Sequence, residues 1–498
     1  MKLAPLAALL CAVFLALAGT ASANTFNVTT TDDDVGSCDP GDCSVREAMA
    51  AADANPGEDT VNIPAGHYVL TNGELFTNVS NDTMNIVGHS ARDTTLDAGG
   101  QSRVLDAFDG NVNVSHLTIT GGVAPGDDPR ASGQGGGIFF DGTQMNLDHV
   151  AVVGNTALSQ PDFGGQGGGI FADEPVTITN SLVSGNTADG TGGTFSGGQG
   201  GGIFANEPVD MTNVTVSGNV AKPALPNAAF PHSQGGGIFV NETSPFKHVT
   251  IAGNSASGDD AGGGVFINSP TTFRNSIVAG NIVDGAPQNC VQNDTVLEEG
   301  HNLEGTIDCG FSAAGDITGD PLLGPLGNNG GETDTQALAP TSPAVDHADA
   351  ATCAATDQRD VTRPQLGGCD IGAFELQAPP PAPPAPTATK DTTKPTVTVA
   401  GVRSACVSSS LAIRVHASDA SGVRSTRVTL DGKRIKAKNK TSFTLKINAR
   451  KLNPGRHVLR IVTTDGAGNA TTVRRTITRC AKRAAAKPHR QAAPRFTG

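Results

Sequence analysis

The sequence predicts an all-β chain in two parts, a parallel β-helix followed by a small Ig-like β-sandwich. Three observations carry that expectation. The phrase QGGGIF recurs from Gln134, Gln166, Gln199 and Gln234, with a degenerate copy, AGGGVF, from Ala261. A Gly-Asn pair follows each copy after 20 or 21 residues, at Asn155, Asn186, Asn219, Asn254 and Asn281. Finally, residues 387–498 hold 24 Lys+Arg against 4 Asp+Glu, whereas residues 24–386 hold 9 against 44, so two modules with different surroundings are implied. Among 498 residues there are 63 Gly, 30 Pro, no Trp and one Tyr, and only 16% are charged, which excludes a coiled coil or a helical enzyme domain. Collagen is excluded because the glycines cluster instead of recurring at every third residue.

In chain order, residues 1–23 read as a cleaved secretory signal: Lys2, an apolar run from Leu6 to Leu17, then Ala21-Ser22-Ala23, with Asn24 as the first mature residue. The run is too short to cross about 30 Å of hydrocarbon comfortably, and no later segment is longer, so no transmembrane segment is expected. Cleavage removes Cys11 and leaves Cys38, Cys43, Cys290, Cys309, Cys353, Cys369, Cys406 and Cys480. An even number in an exported chain argues for disulfides, and nearness in sequence pairs 38 with 43, 290 with 309, 353 with 369 and 406 with 480. No His or Cys pair has the close spacing of a zinc site. Asp32, Asp33, Asp34, Asp39 and Asp42 lack calcium-loop spacing and read as a solvated loop. Ser44 and Glu47 fit a capping box, and Val45, Ala48, Met49 and Ala52 share one face of the short helix it starts, which would cover the open first coil.

The repeat dictates the body, residues 24–376. Its first-to-second marker distance is fixed, while the distance from each Asn to the next QGGGIF varies from 7 to 15, so a rigid block alternates with an elastic loop. Short β-branched runs broken by Gly and Asn, as in GGGIF, VTIT and SLVSGN, are strands. A unit this small buries nothing alone and must stack on its neighbours, about 4.8 Å apart. Asn155, Asn186, Asn219, Asn254 and Asn281 are then expected to pass amide hydrogen bonds along a ladder, and Ile138, Ile170, Ile203, Ile238 and Val265 to form an interior stack.

CSVREA at 43–48 with DTVNIPAGHYVL at 59–70 resembles the N-terminal CSLREA element of bacterial surface β-helix proteins. DPLLGPLGNNGGETDTQALAPTSPAVD at 320–346 with DQRDVTRPQLGGCDIGAFE at 357–375 resembles their choice-of-anchor Q region, and the repeat is similar to polymorphic outer-membrane and pectate-lyase-like repeats. The resemblance spans roughly 26–376 and implies a right-handed helix in a secreted or cell-surface setting. It carries no catalytic residues. Asp357, Arg359, Arg363 and Asp370 read as an ion-pair cluster closing the last coils.

Two columns of the body are candidates for chemistry. Glu174, Glu207 and Glu242 occupy one position in successive coils, so they are solvated turn residues, or a carboxylate line sharing calcium or another hard cation, or catalytic. Phe163, Phe195 and Phe230 sit in the elastic loops just before the next coil, where they either tuck the loop down or line a groove that stacks on sugar rings. Hydrolysis needs paired carboxylates about 5 to 9.5 Å apart, and the Asn-Thr-Asp and Gly-His-Gly motifs of polygalacturonases do not occur. The motifs identify no definite cofactor; calcium is the ion that the glutamate column suggests.

A Pro-rich spacer, 377–394, leads to the module at 395–480 and a basic tail, 481–498, expected to be disordered. About six short strands separated by Asp-Gly and Pro-Gly turns argue for a sandwich, with Cys406 and Cys480 joining its first and last strands. The basic charge suits an anionic cell-wall or surface polymer, and one Phe leaves no aromatic platform for nucleic-acid bases. The expectation is a monomeric, extracellular or cell-surface, non-enzymatic scaffold for adhesion or polysaccharide contact; the alternative is a polysaccharide lyase or glycoside hydrolase on the same fold.

Overall fold

The computed structural model describes residues 22–80, 82–378, 390–438 and 441–481. All but two residues of the signal segment, most of the Pro-rich spacer and nearly all of the basic tail lie outside them. The chain divides into two compact units, Met1–Ala378 and Pro379–Gly498.

The first unit is a parallel β-helix of about 8 turns. A representative coil runs through four short strands, Ile170–Ala172, Val176–Thr179, Leu182–Ser184 and Thr187–Ala188. Strands at the same place in successive coils pair in parallel, which builds four sheets of ten, seven, eight and ten strands, the seven-stranded one ending in an antiparallel strand, Ala286–Pro287. The register aligns Ile138, Ile170, Ile203, Ile238 and Val265, all completely buried. Each such aliphatic side chain contributes roughly 1.5–3 kcal/mol relative to exposure. The next residue along points out of the coil, yet it too is buried: Phe139, Phe171, Phe204, Phe239 and Phe266 stack with centroids 5.4, 5.1, 4.8 and 5.0 Å apart and planes within 7° of parallel. Ala131, from the segment before Gln134, and Val291 pack with this aromatic column.

At the Gly-Asn turns the glycines have φ of +64 to +72°, a region that L side chains avoid. Each Asn donates through Nδ2 to Oδ1 of the next, at 3.0, 3.0, 2.9 and 2.9 Å from Asn155 to Asn281, and Asn289 extends the line by another 3.0 Å. From Asn186 to Asn281 each Oδ1 also accepts the backbone N–H of the preceding Asn, and Asn155 Oδ1 accepts from Gly122 N, so a buried turn keeps its polar groups paired.

The N-terminal end is covered by a helix, Val45–Asp53, that packs on the first coils. Its capping box is complete: Ser44 Oγ accepts from Glu47 N at 3.1 Å and Glu47 Oε2 accepts from Ser44 N at 2.9 Å. Four disulfides form, 38–43, 290–309, 353–369 and 406–480, the pairing that sequence nearness suggests.

Residues 320–376 depart from expectation. They cover late coils, with Leu338, Ile371 and Phe374 packed with Ile277, Ala279 and Leu303. They then run on along the flank of the helix as a strap. Its Glu332 reaches Ala91 N (3.1 Å) and His116, Thr356 accepts from Asn213 Nδ2 (3.0 Å), Ala354 donates to His248 Nε2 (3.3 Å), and His347 contacts His301 (2.7 Å). The physical reason is a column of polar turn residues with φ of +50 to +58°: His116, His149, Asn180, Asn213, His248, Asn275 and His301. Asn and His tolerate this conformation, and their side chains present hydrogen-bonding groups, several of which the strap meets, although Asn213 Oδ1 and His248 Nδ1 stay buried without a partner. The buried ion pairs Arg359–Asp357 (2.6 Å) and Arg363–Glu375 (3.1 Å) hold the strap's own fold. Asp370 accepts from the Asp346 and Leu376 amides, and burial, ahead of the Glu375 charge, pushes its carboxyl up to about 6.

The second unit is a seven-stranded antiparallel sandwich. One sheet orders Thr396–Ala400, Ser410–Ser418 and Ser442–Asn448; the other orders Lys433–Lys438, Val423–Leu430, Gly455–Asp465 and Ala470–Arg479. Strict in-out alternation along Ser410–Ser418 sends Leu411, Ile413 and Val415 to a core shared with Val428, Leu459, Ile461 and Ile477. Cys406 lies between the first two strands, not on the first, so its disulfide ties that connection to the end of the last strand, beside the Val407–Arg479 bridge.

Candidate aromatic groove on the loop face

The rigid blocks supply a floor. Gln134, Gln166, Gln199 and Gln234 hold the same position in successive coils, and each Nε2 donates to the next Oε1 at 3.1, 2.9 and 2.6 Å. Beside this amide ladder lies the end of the buried phenylalanine column, Phe266. The elastic loops supply a wall. Phe163, Phe195 and Phe230 are 46%, 43% and 60% exposed and meet edge to face, with centroids 5.4 and 5.1 Å apart. Floor and wall enclose an open groove of about 490 Å³, completed by Ser196, His232, Asp259, Asp260 and Asn293.

The loops are held in place despite their unequal lengths. Phe195 N donates to Asp162 O (2.6 Å), Phe230 N to Phe195 O (2.7 Å) and Gly197 N to Phe230 O (3.2 Å), so the coil-to-coil pairing continues into the loops at Ser196 and Phe230. The three rings therefore form a fixed column at the pitch of the helix. Exposed aromatic faces bordered by amides suit the apolar faces and hydroxyl edges of sugar rings. No Lys or Arg lines the groove, and two carboxylates do, so its charge disfavours an acidic ligand.

Glu174, Glu207 and Glu242 stand on successive coils and do not line the groove. Burial and then the Glu207, Asp141 and Asp173 charges raise the Glu174 carboxyl above its ordinary range. Their sequence neighbours form a further ladder: Asn206 donates to Asp173 at 2.6 Å, Asn241 to Asn206 at 2.8 Å and Asn268 to Asn241 at 2.9 Å. Among the described residues, three groupings bring ligand atoms of three His, Cys or acidic side chains within 4.8 Å of one another: His116/Asp148/His149, Glu304/Asp308/Cys309 and Asp391/Asp419/Asp465. The glutamate column is not one of them. Cys309 is committed to a disulfide. The His116 and His149 rings are stacked, 5.1 Å apart and 15° from parallel, so one ion cannot lie in both ring planes.

That histidine pair instead clasps the strap. His149 lies between Asp148 Oδ2 and Asp360 Oδ2, each 2.9 Å away, and His116 meets Glu332 at 3.1 Å. The Asp148 hydrogen bond, offset in part by burial, raises His149 to about 9, while Asp148, despite its burial, is drawn down to about 2 by His149 and Thr179. His248, two coils on from Asn180, is the opposite case: burial and then the nearby Arg363 charge hold it neutral. Near the chain start, Asp33 is structural, accepting from Arg46 and the Thr71 and Asn72 amides.

Residues 395–461 match the family model described as Bacterial Ig domain. No curated protein and no solved structure matches the chain. Among the described residues no helix is long and apolar enough to cross a membrane.

Proposed function

We propose that this chain is a secreted or cell-surface β-helix scaffold that holds a polysaccharide along its loop face and is retained at an anionic surface by its Ig-like module. The observation that carries the reading is the exposed column Phe163, Phe195 and Phe230 set against the glutamine ladder. A groove free of cations and bordered by Asp259 and Asp260 favours a neutral glycan over a polyuronate there. The secretory signal at 1–23, the resemblance of 43–70 and 320–375 to surface β-helix elements, and four disulfides support an extracellular setting. The module's excess of Lys and Arg supports retention by an anionic polymer.

A panel of neutral and acidic polysaccharides, assayed for retention and for chain cleavage, tests the reading. Retention of a neutral glycan without cleavage supports it. Cleavage of any member replaces it with the lyase or hydrolase alternative.

A further inference from the structure

The outer face of the four-stranded sheet in the Ig-like module carries charge that nothing in the module neutralises. The strand register places Arg434 beside Thr429, Thr429 beside Arg460, and Arg460 beside Arg474, so one line across four strands reads Arg, Thr, Arg, Arg. Arg427 lies on the same face, two residues along from Thr429. All four guanidinium groups are exposed, and among the described residues none forms a salt bridge. Like charges directly opposite each other on adjacent strands destabilise a sheet, and Arg460 and Arg474 are such a pair.

The module's acids are placed where they cannot relieve this. Asp391, Asp419 and Asp465 have converged on one point, and Asp465 ends its strand five residues from Arg460, about 17 Å along the chain. The remaining acid, Asp431, is engaged by His457 and by the Val458 amide (2.8 Å). On this face Arg427 and Arg460 line a cleft of about 310 Å³ together with Ser425, Thr429, Val462 and Thr464, with no aromatic ring.

We propose that this face docks an acidic polysaccharide whose ring carboxylates pair with Arg427, Arg434, Arg460 and Arg474. The guanidinium fork matches a carboxylate in two parallel hydrogen bonds, and the intervening hydroxyls match sugar hydroxyls. The lack of an aromatic ring disfavours the bases of a nucleic acid. The proposal rests on the module acting as the surface anchor and adds the face and the ligand class. The two ligand-contact regions then have opposite preferences, neutral glycan on the β-helix and polyuronate on the module.

The test uses the full-length protein and immobilised polygalacturonate at low ionic strength, with single-stranded DNA as the competing polyanion. One variant carries Arg427→Gln, Arg434→Gln, Arg460→Gln and Arg474→Gln. A charge-matched control carries Arg414→Gln, Lys446→Gln, Arg450→Gln and Lys451→Gln, all exposed positions outside the four-stranded sheet. The row variant should bind polygalacturonate about tenfold more weakly or worse, while the control stays near the parent. Soluble polygalacturonate should raise the melting temperature of parent and control but not of the row variant. Equal weakening in both variants overturns the face assignment while leaving the anchor reading standing. DNA bound as tightly as polygalacturonate overturns the ligand class, and a parent that binds no polyanion overturns the anchor reading as well.

Discussion

Asn219 shows how much one side chain does in this fold. Its Nδ2 donates to Val183 O (3.0 Å) and Asn254 Oδ1 (2.9 Å), and its Oδ1 accepts from both Asn186 N and Asn186 Nδ2 at 3.0 Å, all without contact with solvent. Asn219→Ala orphans these buried partners and should lower stability by roughly 1–3 kcal/mol in equilibrium denaturant unfolding. His149 is the residue-scale pH sensor. Its folded value of about 9 lies above the ordinary 6.5, so its contribution is fully present below pH 6.5 and fades as pH rises through 9. Asp148, lowered to about 2 from 3.8, contributes fully above pH 3.8 and loses its contribution as pH falls through 2. His149→Gln should therefore melt lower than the parent at pH 6, and the gap should close above pH 9; a pH-independent gap would mean that the imidazolium charge plays no part in holding the strap.

Elements differ in how plainly the sequence announces them. The coils were legible because a parallel stack repeats the same physical problem at every turn, so Asn155 and its counterparts and Ile138 and its counterparts had to recur. The capping box was equally local, and Ser44→Ala should cost about 1 kcal/mol, read as a lower thermal midpoint of the N-terminal end by hydrogen exchange. The phenylalanine column from Phe139 to Phe266 was written in the same QGGGIF phrase, but its outward direction reads as solvent, whereas all five rings are buried. The strap was not legible at all. Some of its partners stand over 200 residues away, as in His116 with Glu332 and His149 with Asp360, and the turn column it follows mixes His and Asn without a fixed spacing. For the groove, the three loop phenylalanines were readable, whereas Gln166, Gln199 and Gln234 looked only like punctuation of the repeat.

Across the whole molecule, charge and architecture separate two tasks. The body holds 9 Lys+Arg against 44 Asp+Glu and residues 387–498 hold 24 against 4, so on the proposed reading polyanions should be drawn to the second part and not to the first. Since the Debye length shrinks from about 10 Å at 0.1 M salt to about 3 Å at 1 M, retention on an anionic polymer should be lost at high salt, while neutral-glycan binding by stacked rings should persist. The central claim is that the blocks carry stability and the loop face carries recognition. Loops 156–165, 187–198 and 220–233 hold the groove phenylalanines Phe163, Phe195 and Phe230, whereas 255–260 closes a coil with six residues. The most direct measurement is therefore calorimetric titration of a neutral glycan retained by the parent into a protein with those three loops cut to the length of 255–260, alongside its melting curve. The account predicts that binding disappears while the melting temperature stays near that of the parent; unchanged binding, or a melting temperature as low as that of Asn219→Ala, would contradict it.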